Sequence, residues 1–286
     1  MIIIVYGGFV TLSILILVNI APFAHQISKT FYLSILVIFV ITLTYALTAF
    51  PFTQEAPLKL FFQQSVEVGA ANTSSVIRAE TLLTGIPGYI DRRIVRELPS
   101  SWGKNITCET DMILRPGLLT CKWDSGLLLP SPGITSNNSE IPWLKFHAER
   151  LNTSAGRISI KGTNTRSCII YFDNPISSFT VSGAGRHQPG YEIPEGGTQT
   201  IYMWSRTWEK EFNVEFSWAG AGEDFKMEGR AACEWAEYAS GTAGSPKARL
   251  SAQIPALEEV LHYLPLWAMP TKWTIGLVEA WTKFSL

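Results

Sequence analysis

Four cysteines are the residues of this 286-residue sequence with the strongest capacity for metal or redox chemistry: Cys108, Cys121, Cys168 and Cys233. No Cys-x-x-Cys pair occurs and the four histidines are scattered, so zinc-ligand spacing is missing. An even number of cysteines outside the cytosol favours two disulfides, for which three pairings are possible. We favour Cys108 with Cys121, because so short an insertion can close a hairpin, which leaves Cys168 with Cys233. Free buried thiols and a metal site are the alternatives.

The patterns typical of catalytic sites are missing from the sequence. There is no Gly-x-Ser-x-Gly, no His-Glu-x-x-His and no Walker loop. No histidine has a second one three or four positions on; the four are His25, His147, His187 and His262. The adjacent acids Glu223-Asp224 and Glu258-Glu259 are more typical of a solvated surface than of a glycosidase pair. We therefore predict no catalytic residue, no metal ligand, no cofactor and no enzymatic activity for this chain alone. The alternative is a catalytic serine, histidine and acid that are distant in sequence and come together only in the fold.

Four Asn-x-Ser/Thr sequons predict N-glycosylation at Asn72, Asn105, Asn137 and Asn152. Each sequon alone is a weak indication. All four, like all four cysteines, lie beyond residue 50. Together they predict that residues 51–286 lie in an organelle lumen or outside the cell.

The first 54 residues contain one charged side chain, Lys29, and two apolar runs at about 2–20 and 31–50. Each run has about the 20 residues that a helix needs to cross a bilayer. We predict a transmembrane hairpin over residues 1–50, with Lys29 in the cytosol. The alternatives are a cleaved signal peptide followed by one span, and a pair of soluble core helices. A start inside a span is expected of a fragment or a truncated homologue.

Residues 51–286 have the pattern of an all-β domain, with short β-rich runs separated by turn residues. The predicted strands are 58–68, 143–151, 157–162, 168–172, 178–181, 200–204, 212–218 and 231–238. Helices are predicted from 255 to 261 and from 275 to 284. The predicted fold class is therefore two transmembrane α-helices followed by a mostly-β lumenal domain, an antiparallel sandwich or jelly roll with one or two short C-terminal helices.

Charge and aromatic content limit the possible partners. With 16% charged residues and a formal net charge of -1, the chain does not have the composition of a nucleic-acid-binding protein. Its ten tryptophans are expected in the core, or else in a stacking face for sugars or peptides, or in a belt at the membrane surface. Trp267, Trp273 and Trp281 are the candidates for that belt, because they lie in an apolar tail with few charges.

Several long blocks of the sequence have an unusual composition, among them GIPGYIDRRIV at 85–95 and TCKWDSGLL at 120–128. The other blocks are 50–53, 56–64, 98–103, 162–168, 188–194, 204–208, 232–241 and 267–273. Together they resemble the last two membrane helices and terminal domain of fungal vacuolar membrane proteases. The resemblance implies a multi-pass vacuolar membrane glycoprotein whose aminopeptidase-type di-zinc peptidase domain precedes a lumenal C-terminal β domain.

The resemblance carries no catalytic or metal residue onto this chain, because the di-zinc domain has no counterpart here. Any zinc would belong to that missing domain. The expected function is a non-catalytic C-terminal membrane anchor and lumenal domain of such a metalloprotease. Its expected partners are the lipid bilayer and a peptidase domain in cis or trans, with no nucleic acid. The alternative is a free-standing, membrane-tethered module that binds glycans or a protein partner.

Overall fold

The computed structural model describes residues 28–70, 73–111, 115–132, 141–184, 193–219, 225–235, 254–272 and 276–286. The chain divides into two compact units, residues 1–51 and 52–286. In the first unit, helix α1 runs from Lys29 to Thr48. The Ser28 side chain accepts a hydrogen bond from the Phe31 amide at its start. The helix ends before Phe50, since a residue that precedes proline disfavours helical geometry.

Helix α1 has the properties of a membrane-spanning segment. Its 20 residues are long and apolar enough to cross a bilayer, and none of them is buried in the protein. Its hydroxyl groups bond back to carbonyls one turn earlier, as Ser34 does to Thr30 and Thr44 to Val40, at 2.9 and 2.7 Å. A hydroxyl group satisfied within its own helix does not need water, which suits a lipid environment.

The predicted fold class is wrong in its two transmembrane helices, as far as the described part of the chain is concerned. That part has one helix able to span a bilayer, α1. The second predicted span, 31–50, corresponds to it with slightly shifted ends. The first predicted span, residues 2–20, lies outside the described residues.

The second unit is a two-sheet β domain with one α-helix and three short helical turns among its described residues. The strands are β1 (Leu58–Val68), β2 (Val76–Gly85), β3 (Thr107–Asp111), β4 (Leu118–Asp124), β5 (Leu144–Asn152), β6 (Ala155–Gly162), β7 (Ser167–Ile176), β8 (Ser178–Val181), β9 (Thr198–Trp204), β10 (Phe212–Ser217), β11 (Glu228–Trp235), β12 (Ala268–Lys272) and β13 (Val278–Ser285). Helix α2 runs from Pro255 to Tyr263. A π-helical turn at Ile90–Ile94 leads into 3-10 turns at Val95–Glu97 and Pro99–Ser101.

The larger sheet has the order β3-β4-β2-β1-β13-β11-β7-β9, with β12 also paired to β1, and the smaller sheet has the order β5-β6-β10-β8. Strand β1 pairs in parallel with both β12 and β13. The expectation of antiparallel sheets is therefore wrong for the larger sheet, which is mixed. Parallel pairing arises because the chain returns to β1 after helix α2 instead of through a tight hairpin.

The prediction of a helix over 275–284 is also wrong. The structure describes this segment from residue 276 onward, and it contains strand β13. Val278, Ala280, Thr282 and Phe284 are buried at every second position, which is the period of a strand. The earlier helix prediction is confirmed by α2. All eight predicted strands are present, β1 and β8 with the predicted bounds and the other six with shifted ends. Strands β2, β3, β4, β12 and β13 were not predicted.

Two apolar clusters form the core, and both use the same face of the larger sheet. Residues such as Leu60, Phe62 and Leu83 pack with the helical turns and with Val260 of α2. In the second cluster, residues of β7, β11 and β13 pack against Ile160 and other residues of the smaller sheet. Each fully buried aliphatic or aromatic side chain contributes about 1.5–3 kcal/mol through burial. We call the opposite face of β7, β11 and β13 the outer face; it carries polar and charged residues.

Candidate functional site

Two buried carboxyl groups meet at the centre of the outer face. Glu234 of β11 and Glu279 of β13 are directly opposite each other in the antiparallel register. Their residues are 3% and 7% exposed. Like charges at directly opposed positions destabilise a sheet. A pair of enclosed acids at such a position is therefore the unusual feature of this surface.

Glu279 is held by one hydroxyl group and one distant cation. The Tyr171 hydroxyl donates to Glu279 Oε1 at 3.3 Å, and Arg230 Nη2 lies 3.9 Å from the same oxygen. Burial raises the pKa of Glu279, and the charge of Arg230 and the Tyr171 hydrogen bond offset this only in part. Desolvation dominates because the Arg230 side chain is 39% exposed and beyond hydrogen-bond distance. Glu279 therefore keeps its proton to a higher pH than an exposed glutamate does.

Glu234 is bordered by Ser167 and lies within electrostatic range of two tyrosines. The Ser167 hydroxyl donates to Glu234 Oε2 at 3.5 Å. Burial, followed by the charge of Glu234, raises the pKa of Tyr202. Burial, followed by the charge of Glu279, raises the pKa of Tyr171. Both phenols therefore remain protonated and act as hydrogen-bond donors instead of bases.

A shallow groove of about 510 Å³ lies beside the carboxyl pair. Its lining includes Tyr171, Asp173, Arg230, Trp281, Lys283 and Ser285. The Arg230 guanidinium carbon is 4.2 Å from the centroid of the Tyr171 ring and 5.6 Å from that of Trp281. Such stacking holds the cation by attraction to the ring faces and leaves its edge available for hydrogen bonds.

Two side chains of β1 fix the remaining wall of the groove. Trp281 Nε1 donates to Ser65 Oγ at 2.9 Å. Lys283 Nζ lies 3.0 Å from Glu67 Oε1 and 5.6 Å from the Trp281 ring centroid. The parallel register explains these contacts, because it places Trp281 directly opposite Glu67. The groove therefore has a preformed aromatic and cationic wall.

The arrangement is suited to binding more than to catalysis. Glu234 and Glu279 lie within the sheet surface and do not line the groove. Asp173 and Glu228 add acids to the lining beside the cations Arg230 and Lys283. A surface with both charge signs and aromatic faces can bind a polar ligand that itself carries both charges.

The structure joins Cys108 to Cys121 and Cys168 to Cys233, the pairs that the sequence favoured. In both cases the partners are directly opposed on neighbouring antiparallel strands, β3 with β4 and β7 with β11. Neither bridge touches the groove. Among the described residues, no group of three or more His, Cys, Asp or Glu side chains could hold a metal ion.

The predicted glycosylation sites are only partly described. Asn105 precedes β3 and Asn152 ends β5, and both are exposed. Asn152 Oδ1 accepts a hydrogen bond from the Ser154 amide at 2.8 Å, so this sequon forms a turn at a hairpin end. Asn72 and Asn137 lie outside the described residues.

The other residues singled out in the sequence are not brought together by the fold. His147 Nε2 lies 3.9 Å from Glu149 on an exposed strand, and His262 contacts Tyr263 at 4.9 Å between ring centroids. Glu259 accepts a hydrogen bond from the Ser100 amide at 2.8 Å, which is a structural role. The residues that fall outside the described part are His25, His187, Glu223 and Asp224.

The three tryptophans proposed as a belt also separate. Trp267 packs near Phe52, whereas Trp281 lies on the outer face opposite Glu67 of β1. The Leu58 amide donates to the Trp267 carbonyl, so these two tryptophans are nine β1 residues apart, or about 30 Å along the strand. Trp273 lies outside the described residues.

Sequence reasoning missed Glu234 and Glu279. One indication was present, since Glu234 interrupts the run Ala231-Ala232-Cys233 before Trp235. A charged residue within an otherwise buried strand needs a partner. Its neighbour on β13 could not be identified without the register.

These features define a class of protein, a disulfide-linked two-sheet β domain that follows an apolar helix. A family model described as "Vacuolar membrane protease, C-terminal domain" matches residues 58–280. The chain belongs to this family, which confirms the resemblance noted in the sequence.

Relatives named vacuolar membrane protease match almost the whole chain. The one from Laccaria bicolor is 35% identical, over 99% of this chain and 32% of its own length. The one from Schizophyllum commune is 37% identical, over 99% of this chain and 29% of its own length. The chain therefore spans about a third of the length of these relatives and corresponds to their C-terminal region.

Among solved structures, the yeast delta-COP-I mu-homology domain complexed with a Dsl1 WxWxV peptide covers 80% of this chain and 95% of its own. The sequence identity is 9% and the TM-score is 0.26. A likeness at that score carries no argument about this fold or its ligands.

Proposed function

We propose that this chain is the non-catalytic, membrane-anchoring C-terminal part of a vacuolar membrane metalloprotease, with its β domain in the lumen. The observation that carries this proposal is the extent of the match. The chain matches its relatives over 99% of its own length but over only about a third of theirs, in a region that the family model describes as C-terminal. The peptidase chemistry and its zinc ions are assigned to the part of the relatives that this chain does not cover.

The surroundings of Glu279 and Glu259 support a non-catalytic role. A two-metal hydrolase needs ligands that face a shared open site. Glu279 is enclosed beneath Tyr171 and Arg230, and Glu259 accepts a backbone hydrogen bond. Both acids therefore bond within the domain and do not face an open site, as expected of a non-catalytic supporting domain.

Helix α1, the disulfides and the exposed sequons support anchoring with a lumenal domain. Lys29 begins α1, and a cation at this end favours the cytosolic side. Disulfides persist in oxidising compartments, and Asn105 and Asn152 are exposed as glycan acceptors must be. The β domain follows α1 in the chain and would then lie on the opposite side of the membrane, in the lumen.

Expression of the whole chain in yeast tests this topology. We expect the chain to resist alkaline carbonate extraction and to shift to lower mass on glycosidase treatment. Asn105→Gln and Asn152→Gln should each remove one glycan, whereas Asn164→Gln, which alters an asparagine outside any sequon, should remove none. Complete extraction by carbonate, or an unglycosylated chain, would overturn the anchoring and the orientation, respectively.

A peptidase assay tests the catalytic part of the proposal. The purified chain with added zinc should not hydrolyse aminopeptidase substrates above the blank. The full-length Laccaria bicolor relative, prepared in the same way, serves as the matched comparison. Zinc-dependent hydrolysis by the isolated chain would show that it carries its own active site.

The groove favours a second candidate function, a tethered binding module. Lys283 and Arg230 lie beside the Trp281 ring, which favours a charged peptide over a sugar that would need the ring face. Titration of peptide libraries against the whole chain in detergent tests this function. Arg230→Met should weaken binding about tenfold, while Arg206→Met, at an exposed arginine outside the groove lining, should not. Absence of any binding peptide would remove this candidate.

A further inference from the structure

The second unit begins with an aromatic cluster. Phe52 is its first residue, and its ring centroid lies 5.2 Å from that of Tyr89 and 6.4 Å from that of Trp267. Tyr89 and Trp267 are themselves 6.2 Å apart. This cluster fixes where the polypeptide enters the β domain, close to the first residue of β1.

Exposed apolar side chains lie on the chain segment that carries Trp267. They are Leu261 (57% exposed), Tyr263 (47%), Leu266 (77%) and Met269 (51%). Single exposed apolar residues are ordinary, but several within one short segment indicate an interaction surface. We call these four residues the apolar rim.

Basic side chains accompany the apolar rim. Lys59 is directly opposite Met269 in the β1–β12 register, and it is exposed. The Arg92 side chain is 77% exposed, lies 3.7 Å from Asp91 Oδ2 through its Nε, and follows Tyr89 by three positions. A mixture of aliphatic, aromatic and basic side chains is the composition that binds the interface of a lipid bilayer.

The length of the connection to α1 restricts where this surface can lie. Helix α1 ends at Thr48, so Phe52 follows it by four residue steps. Four extended residues reach at most about 14 Å. If α1 spans the membrane, Phe52 therefore stays within about 14 Å of the end of the span, which is about twice the roughly 5–8 Å depth of the headgroup layer on one side.

We propose that the apolar rim rests on the bilayer and inserts Leu266 and its neighbours into the lipid interface. The lipid surface is the occupant that the short connection favours, because the connection keeps the Phe52 cluster beside the membrane. This inference rests on the proposed membrane anchoring by α1. It gives the domain a fixed orientation in which the far ends of β1 and β13 point away from the lipid.

The opposite end of the domain supplies a matched control residue. Val68 ends β1 ten residues beyond Leu58, about 33 Å along the strand. Strand β13 continues beyond Val68 in the same direction, because Trp281 is already opposite Glu67. The Leu286 side chain after β13 borders Gly156 of the β5–β6 hairpin, and the exposed Leu151 lies in that hairpin. Leu151 is therefore an exposed leucine at the far end.

The test places an environment-sensitive fluorophore at each leucine of the whole chain. Leu266→Cys and Leu151→Cys are labelled without reductant, so that both disulfides remain, and the proteins are reconstituted into vesicles with about one-fifth anionic lipid. We expect lipid-borne nitroxide to quench the probe at 266 at least about threefold more than the probe at 151. Aqueous iodide should show the reverse order.

The outcomes separate this inference from the proposed function. A chain that floats with the vesicles while its probe at 266 is as accessible to iodide as the probe at 151 overturns the apolar rim and leaves the anchor intact. A chain that does not float with vesicles overturns both. Unchanged near-ultraviolet circular dichroism of the labelled chains shows that both variants are folded.

Discussion

At the scale of single residues, Glu279 links the charge of the outer face to the stability of the domain. Burial raises its pKa in the folded protein, against an unfolded value of about 4.3. A carboxyl group of this kind stabilises the folded state fully below its unfolded pKa, and that contribution is lost as the pH rises through the folded pKa. We therefore predict that the free energy of unfolding falls with rising pH above about 4, and that Glu279→Gln removes this part of the slope.

The glutamine variant stays neutral and can still accept the Tyr171 hydrogen bond, so it isolates ionisation from packing. Chemical denaturation over a series of pH values measures the slope. Glu228→Gln is the control, because Glu228 lies on the neighbouring strand β11 but is exposed, with the Ser285 hydroxyl 3.4 Å from its Oε1. Equal slopes in wild type and Glu279→Gln would contradict the prediction.

Gly162 shows how little space separates β6 from the disulfide between β7 and β11. A Cβ atom at this position would lie 2.1 Å from Thr165 Cγ2 and 2.7 Å from Cys233 Cβ. We predict that Gly162→Ala lowers the free energy of unfolding by about 1–3 kcal/mol through overpacking. Gly196→Ala is the matched control, since nothing lies within 4 Å of its added Cβ. Denaturation of both variants under oxidising conditions measures the difference; a loss at Gly162 no greater than at Gly196 would refute it.

At the scale of elements, the two disulfides close loops of different length across neighbouring strands. Cys108 and Cys121 are separated by 13 positions, and Cys168 and Cys233 by 65. The loop-closure model gives about 2.9 and about 4.3 kcal/mol for loops of these lengths. We predict that replacing the second pair with serines destabilises the domain by about 1.4 kcal/mol more than replacing the first.

Burial of the cysteines also predicts a larger loss of stability for the second pair, because Cys168 and Cys233 are both buried whereas Cys108 is exposed. Urea denaturation of the two double variants measures the difference. The intact protein in the same buffer is the reference for both. A larger loss from the β3–β4 pair would show that the edge hairpin, and not the sheet centre, limits stability.

The same elements show what a sequence can and cannot predict about this fold. The alternation of apolar residues was sufficient for strands such as β1, whose bounds were predicted as observed. For the residues of β13 the sequence predicts a helix instead, because Ala280 and Thr282 are weak apolar markers of a two-residue period. The parallel pairing of β1 with β13 and the opposition of Glu234 to Glu279 depend on register, which only the assembled sheet determines.

At the scale of the whole molecule, the two units on either side of residue 51 differ in how far their described residues are buried. Both core clusters draw all of their residues from the second unit, from Phe52 onward. The described residues of α1 contribute none, and all of them are exposed. The apolar core of the β domain and both disulfides are therefore built from residues of the second unit.

We predict that residues 52–286, produced alone in an oxidising compartment, fold with both disulfides and without detergent. Their free energy of unfolding should equal that of the full chain in detergent within about 0.5 kcal/mol, because the removed helix supplies no core contact. Chemical denaturation followed by tryptophan fluorescence measures both proteins, and mass analysis after thiol alkylation counts the disulfides. A truncated chain with exposed apolar surface and no cooperative transition would show instead that the first unit is needed for the domain to fold. A cooperative transition would establish the β domain as an independently folding unit.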